Sequence, residues 1–296
     1  MEAGGMKALY EAGIRPEMIV GSSAGALNAT FVATDPSAEG IDRLCDIWRN
    51  LRSRDIVPGN LVNRAWRLLR GKPSVFDPKP LQAFVENHLP PGVRTFGDLP
   101  PHVQLYVTAA SLQTSALYLF GEDKSASLRD AALASSAFPG GFPPVRYGRW
   151  QYADGGIIAN VPISVAVDKG ATTIYVLDVA YTGGVYGPAT SVVGILLRVA
   201  NIVLHQDLLR ELQYATQQPG MTVHHLIIRG VPQASDFNFD YGREMVETGY
   251  RQVSRYLDRL VSSTPPAEAP VPAPVEVAPA PPGARLWVPP YRRQSP

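Results

Sequence analysis

One cysteine, Cys45, stands in a chain of 296 residues, so no internal disulfide can form and no thiolate set exists for a structural zinc. That usage suits a reducing compartment. Charge of either sign is also scarce in net terms. Twenty-seven Lys and Arg against 26 Asp and Glu leave a formal +1, which gives no electrostatic case for nucleic acid as a partner. No stretch of about 18 uncharged apolar residues occurs. The nearest, Val192 to Leu209, is interrupted by Arg198, Asn201, His205 and Asp207 and reads as a core-facing amphipathic helix. Met1 to Gly5 has neither the basic start nor the apolar stretch of a secretory signal. Internal repeats are absent. These absences point to a cytoplasmic protein, and the 45% hydrophobic content is enough to build a sizeable core.

What is present alternates between two periods. Helical spacing marks Met6 to Ala12, closed by Gly13, and Ala38 to Arg52, with Ile41, Leu44, Cys45 and Trp48 on one face. A small-residue helix is expected over Ser127 to Ala137, ended by Pro139-Gly140-Gly141. Strand patterns fall at Met18 to Val20, Val103 to Ala109, Ala116 to Phe120, Thr173 to Leu177 and Val223 to Ile228. The last two are β-branched runs suited to a buried parallel sheet. Alternating strands and helices predict α/β layering. From Ser262 the composition shifts: 11 of the chain's 28 prolines lie between Thr264 and Pro296. The expected organisation is therefore a folded domain over 1–262 and a Pro-rich disordered tail over 263–296. Trp287, Tyr291, Arg292 and Arg293 in that tail read either as a docking motif or, as composition favours, as part of an inert extension.

Chemistry concentrates in two short motifs. Gly21-Ser22-Ser23-Ala24-Gly25 is a G-x-S-x-G sequence between the strand pattern at Met18 and an alanine-rich helical start. A sharp strand-to-helix turn there would lift the Ser23 hydroxyl out of the backbone, and Gly21 and Gly25 would let the crossing segments pass closely. The Ala24 amide would then lie at a helix N-terminus, placed to receive a developing oxyanion. Asp154, in Asp154-Gly155-Gly156, ends a strand-like run and is followed by two glycines able to turn the chain. A carboxylate bonded to Ser23 can take its proton, provided burial raises its basicity. The plain alternative is an Asp-Gly turn. Five histidines, at 88, 102, 205, 224 and 225, offer a competing Ser-Asp-His arrangement through Asp178 and His224 or His225. Only 22 residues precede Ser23, too few for the strands that an α/β-hydrolase builds before its nucleophile, and the two histidines lie within a strand pattern.

With these motifs together, the chain resembles the patatin-like phospholipase family, in its bacterial single-domain branch. The matching stretches are Lys7 to Ile14, Ile19 to Ala29, Ala132 to Val145, Asp154-Gly155-Gly156 with Asn160-Val161-Pro162, and the strand at Ile174 to Leu177. The likeness runs over roughly residues 2–260. It implies a three-layer α/β fold with a mainly parallel central sheet flanked by helices. It also implies a Ser23–Asp154 dyad working through an acyl-enzyme on lipid esters, without metal or cofactor. Members of the family carry a strand and a Gly-rich loop, G-G-G-x-[RK]-G or a relative, before the first helix. Gly4-Gly5 lies within the stretch matching that helix, so the oxyanion role of the loop is not carried onto either residue, and an upstream start is expected.

Three function classes follow: a serine hydrolase of the phospholipase, lysophospholipase or carboxylesterase type; a related lipid- or protein-binding module without turnover; and the Ser-Asp-His esterase. The partner is a lipid or another acyl ester. Leu61 to Arg70 alternates Trp66, Leu68 and Leu69 with Arg64, Arg67 and Arg70. It reads either as a peripheral contact with an anionic membrane surface or as an ordinary helix packing Trp66 and Leu69 on the core.

Overall fold

A computed structural model describes residues 1–59, 66–67, 69–179, 190–230 and 238–262. Its organising element is β2 (Gln104–Ser111), buried along its length after the first residue. Three strands pair with it. β1 (Met18–Gly21) runs parallel beside Gln104 to Val107, while β3 (Leu117–Phe120) runs antiparallel beside Val107 to Ala110. β5 (Trp150–Asp154) runs antiparallel beside Ala109 to Ser111. Val107 pairs with both β1 and β3, and Ala109 and Ala110 pair with both β3 and β5. A strand has two edges, so β3 holds one and β1 and β5 share the other. β1 approaches along that shared edge from one end and β5 from the opposite end. Their C-termini converge at Thr108. β4 (Val145–Tyr147) closes a hairpin onto β5.

A second, two-stranded sheet joins β6 (Thr173–Asp178) and β7 (Thr222–Ile227) in parallel. Both strands fall on the β-branched runs read from the sequence, with Val176 and Leu226 fully inside. The result is a mixed α/β architecture, parallel at β1–β2 and β6–β7 and antiparallel elsewhere. β1 and β6 both line a cavity of about 560 Å³, together with Glu2, Leu9, Gly25 and Asn28.

Helices follow the expected pattern. α1 (Glu2–Glu11) begins earlier than its periodicity suggests and stops before Gly13, whose φ of 80° suits a residue without Cβ. Gly4 and Gly5 are buried inside α1, which keeps them out of any loop. α2 (Ala24–Thr34) is apolar all round, and every residue from Ala26 to Ala33 is buried. α3 (Ala38–Asn50) is capped by the Ser37 hydroxyl and buries Ile41, Leu44 and Cys45, with Trp48 half-buried. α4 (Ser53–Ile56) and α5 (Pro78–His88) extend that layer. α6 (Leu128–Ser135) is capped by Ser127 and buries Leu128 and Ala131 to Ser135. α7 (Ile163–Asp168) and α8 (Val192–Thr216) cover the second sheet, and α9 (Gly242–Ser262) packs Val246 and Val253 inward.

Two expectations about helix faces are corrected. Val192 to Leu209 does lie within a helix, but among its described side chains Leu208 is the first that is buried; Val192, Ile195, Leu196, Val199, Ile202 and Val203 are exposed. Trp66 and Leu69 do not pack on the core: both are exposed, and the Arg70 guanidinium lies over the Trp66 ring. Residues 61–65 and 68 lie outside the described residues, as does the Pro-rich segment 263–296.

Candidate active site

Because β1 and β5 end on the same edge of β2, the residues that leave them meet. Gly21 closes β1, Ser22 and Ser23 make the turn, and α2 starts at Ala24. The turn is tight: a Cβ on Gly21 would lie 2.5 Å from the Gly25 carbonyl oxygen, so the strand and helix cross at a distance only glycine permits. Ser23 pays with a φ of 54° and a ψ of −125°, a region L-residues rarely occupy, at a cost of about 1–3 kcal/mol. Asp154 ends β5, and the next residue is again constrained. A Cβ on Gly155 would lie 2.4 Å from the Thr108 carbonyl oxygen, at the point where the two strands converge.

Ser23 Oγ donates to Asp154 Oδ2 at 2.6 Å. The other carboxylate oxygen, Oδ1, accepts the Gly156 amide at 2.8 Å. Asp154 is 3% exposed. Burial pushes its pKa up to about 6, opposed by the Ser23 and Gly156 hydrogen bonds, which favour the charged form. A carboxylate with these properties holds a hydroxyl proton acceptor near neutral pH, in one fixed orientation.

Ser135 at the end of α6 and the two residues after it tie the two motifs together, within the stretch Ala132 to Val145 that carries the resemblance. The Ser23 amide donates to Ser135 Oγ at 2.9 Å, and Ser136 Oγ donates to the Ser23 carbonyl at 3.3 Å. The Asp154 amide donates to the Ala137 carbonyl at 3.0 Å. Three consecutive residues therefore hold the backbones of both Ser23 and Asp154. The only sequence signal was the Ser135-Ser136 pair in an otherwise apolar helix end. A buried serine there needs a partner.

At the start of α2, the first amides to close helical bonds are those of Ala26 and Leu27, to Ser22 and Ser23. Among the described residues neither the Ala24 nor the Gly25 amide meets an acceptor, so both are open at the start of α2. Ser22 Oγ, also buried, has no hydrogen-bond partner among the described residues and borders the cavity between β1 and β6. In the same cavity Glu2 accepts from Asn28 Nδ2, and burial raises its pKa.

The histidine alternative is placed elsewhere. His225 Nε2 meets Asp178 Oδ2 at 2.9 Å between β6 and β7, and His224 stacks on Tyr175 with Nδ1 3.1 Å from the Tyr256 hydroxyl. Ser23 Oγ is turned to Asp154, and neither histidine is hydrogen-bonded to it. Among the described residues no group of three or more His, Cys, Asp or Glu gathers to hold a metal ion.

Comparison with known proteins gives two findings. The family model described as patatin-like phospholipase matches residues 1–167, which include α1, the Ser23 turn, α6 and the Asp154 turn. Among solved structures, VipD from Legionella pneumophila is similar at 18% identity with a TM-score of 0.43. That match covers 87% of this chain and 64% of VipD, so the chain spans less than two thirds of the other's length.

Proposed function

The chain belongs to the patatin-like phospholipase family, a family of lipid acyl hydrolases, and from that premise we propose that it hydrolyses lipid esters through Ser23 and Asp154. The observation that carries this reading is the 2.6 Å hydrogen bond from Ser23 Oγ to a buried carboxylate of raised basicity. As Ser23 Oγ attacks the acyl carbonyl carbon, its proton passes to Asp154 Oδ2, and the carbonyl oxygen becomes an oxyanion facing the Ala24 amide. Collapse breaks the bond to the alcohol, which leaves with the proton from Asp154. The acyl group stays on Ser23 Oγ. Water then attacks the acyl-enzyme while Asp154 takes its proton, the fatty acid departs, and the proton returns to Ser23. Gly156 keeps Asp154 oriented by holding Oδ1, which leaves Oδ2 for the reacting proton.

The glycines have separate roles in this reading. Gly21 admits the strand–helix crossing against the Gly25 carbonyl, and Gly155 and Gly156 admit the turn that brings the carboxylate back. The lipid surface itself is the expected partner. Leu61 to Arg70 carries the basic and apolar character for peripheral contact, with Trp66 and Leu69 exposed. No described helix is long and apolar enough to cross a membrane.

An activated phosphonate and a short-chain ester test the reading on the same protein. The expected result is stoichiometric labelling at Ser23 and ester turnover, with labelling lost in Ser23→Ala. Turnover should fall by about 10³-fold or more in both Ser23→Ala and Asp154→Asn. A folded protein that is neither labelled nor active would overturn it in favour of a binding module that keeps the fold without turnover. Loss of labelling in His225→Ala with retention in Asp154→Asn would restore the histidine triad.

A further inference from the structure

α8 is 25 residues long, about 37 Å, and its two halves differ in how their described apolar side chains are covered. The C-terminal half is anchored. Leu208 and Ala215 are buried against Ile163 and Val176, Glu211 accepts from the Ser164 hydroxyl at 2.9 Å, and Asp207 accepts the Asn160 amide at 3.3 Å. The N-terminal half carries Val192, Ile195, Leu196, Val199, Ile202 and Val203, each 49–74% exposed. At about 100° per residue these six fall within an arc of about 120°, on the side of the helix away from Leu208 and Ala215. Soluble proteins scatter exposed aliphatics singly, and a contiguous stripe of six marks an interaction surface.

Charge decides between occupants. From Ser191 to Gln206 there is no carboxylate, and the ionisable side chains are Arg198 and His205. A helix face of branched aliphatics without acid complements the acyl–headgroup boundary of a phospholipid surface, where a carboxylate would be repelled by anionic headgroups and costly to desolvate. The same helix reaches the candidate active site. Asp207 holds the amide of Asn160, whose side-chain oxygen lies at Gly156, next to Asp154. We propose that the N-terminal half of α8 is a lipid-surface docking element that seats the protein on aggregated substrate, with the active-site end of the molecule joined to it through Asp207 and Asn160. This inference rests on the lipid-hydrolase reading for its partner and is independent of it in its test.

The test measures co-sedimentation with mixed phosphatidylcholine–phosphatidylglycerol vesicles, using Ser23→Ala as the non-hydrolysing background. The intact stripe should bind, and Ile195→Glu/Val199→Glu should weaken partition by at least about tenfold, because two carboxylates would have to enter the interface. Ile195→Ser/Val199→Ser, which adds no charge, should weaken it less. With Ser23 restored, the double-Glu variant should turn over a monomeric short-chain ester within about twofold of the parent. Its thermal unfolding should be unchanged, as both positions are exposed. Equal vesicle binding by parent and double-Glu variant overturns the proposal. So does a parent that ignores vesicles but self-associates through the stripe, which would make the occupant a second copy. Failure of the hydrolase reading shows separately, as absence of ester turnover in a parent that still binds vesicles.

Discussion

α2 and the first half of α8 are both built mainly from apolar residues with a few polar ones, yet one is buried from Ala26 to Ala33 and the other is open along one side. The difference lies in what each helix has to cover. α2 leaves β1 at a forced turn and lies between the sheet and α3 and α6, so every face finds a partner. α8 is fastened by Asp207, Leu208, Glu211, Leu212 and Ala215, and the residues before Asp207 run on past the surface those contacts define. Apolar composition alone therefore does not measure burial. In α2 it builds the platform that holds Ser23, whereas in α8 it leaves surface available to a partner.

The contrast breaks most sharply on stability. Phe31 in α2 is buried against Phe84 and His88, and Phe31→Ala should cost about 3–5 kcal/mol through lost contact and the cavity left behind. Val199→Ala in α8 should change unfolding by no more than about 0.5 kcal/mol. Urea titration of both variants checks this. A comparable loss in the two would mean that the α8 stripe is covered in the native protein and that the difference between the helices is not real.

Within the buried region, Asp154 should be a stability cost where the exposed stripe has none. Its folded pKa of about 6 lies above the ordinary value of 3.8, so the folded state binds its proton more tightly than the unfolded state does. The stability it contributes is present in full below about pH 3.8 and is lost as pH rises through about 6. Asp154→Asn removes that titration. The variant should be more stable than the parent at pH 8, by on the order of 2–3 kcal/mol, with the advantage shrinking towards pH 4. Activity should move the opposite way. Turnover by the parent should rise through a single limb near pH 6 as the carboxylate ionises, and Asp154→Asn should have no such limb. Parallel denaturation and rate profiles check both signs. A parent whose stability is flat between pH 4 and 8 would mean that the carboxylate is not desolvated as its burial implies.

Much of this was legible before the fold. Strand ends at Gly21 and Asp154, and helices from Ala24 and from Ala38, follow from glycine placement and period, because local sterics fix them. The proposed dyad is legible as a pair of residue types in suitable turns. What brought them together was not, since β1 and β5 meet only by sharing one edge of β2, and edge sharing is a tertiary choice with no local signature. The direction of the first half of α8 departs from the expected core-facing one for a related reason. A stripe at helical spacing states which residues share a face and leaves open whether a core lies beneath it. Ser135 and Ser136 lie in the stretch that carries the resemblance, but their partners are 112 and 113 residues away, so no local pattern states what the two hydroxyls hold.

That serine pair supplies the smallest and most discriminating effect. Ser135 Oγ accepts from the Ser23 amide, and Ser136 Oγ donates to the Ser23 carbonyl, so each fixes one of the two peptide planes that flank the strained Ser23 Cα. Removing the Ser135 acceptor leaves the Ser23 amide unmatched in a partly buried position, a loss on the order of 1–2 kcal/mol. If the backbone strain at Ser23 is held by this contact, Ser135→Ala should lower turnover of a short-chain ester by about tenfold with KM little changed, since Ser135 is not placed against substrate. The phosphonate labelling rate should fall in parallel, because both reactions begin with attack by the same oxygen. Ser135→Thr keeps an acceptor at the position and should recover part of the rate. Loss of folding stability without any change in labelling rate would instead make Ser135 a packing residue, and the Ser23 conformation would then be held by the Gly21–Gly25 crossing alone.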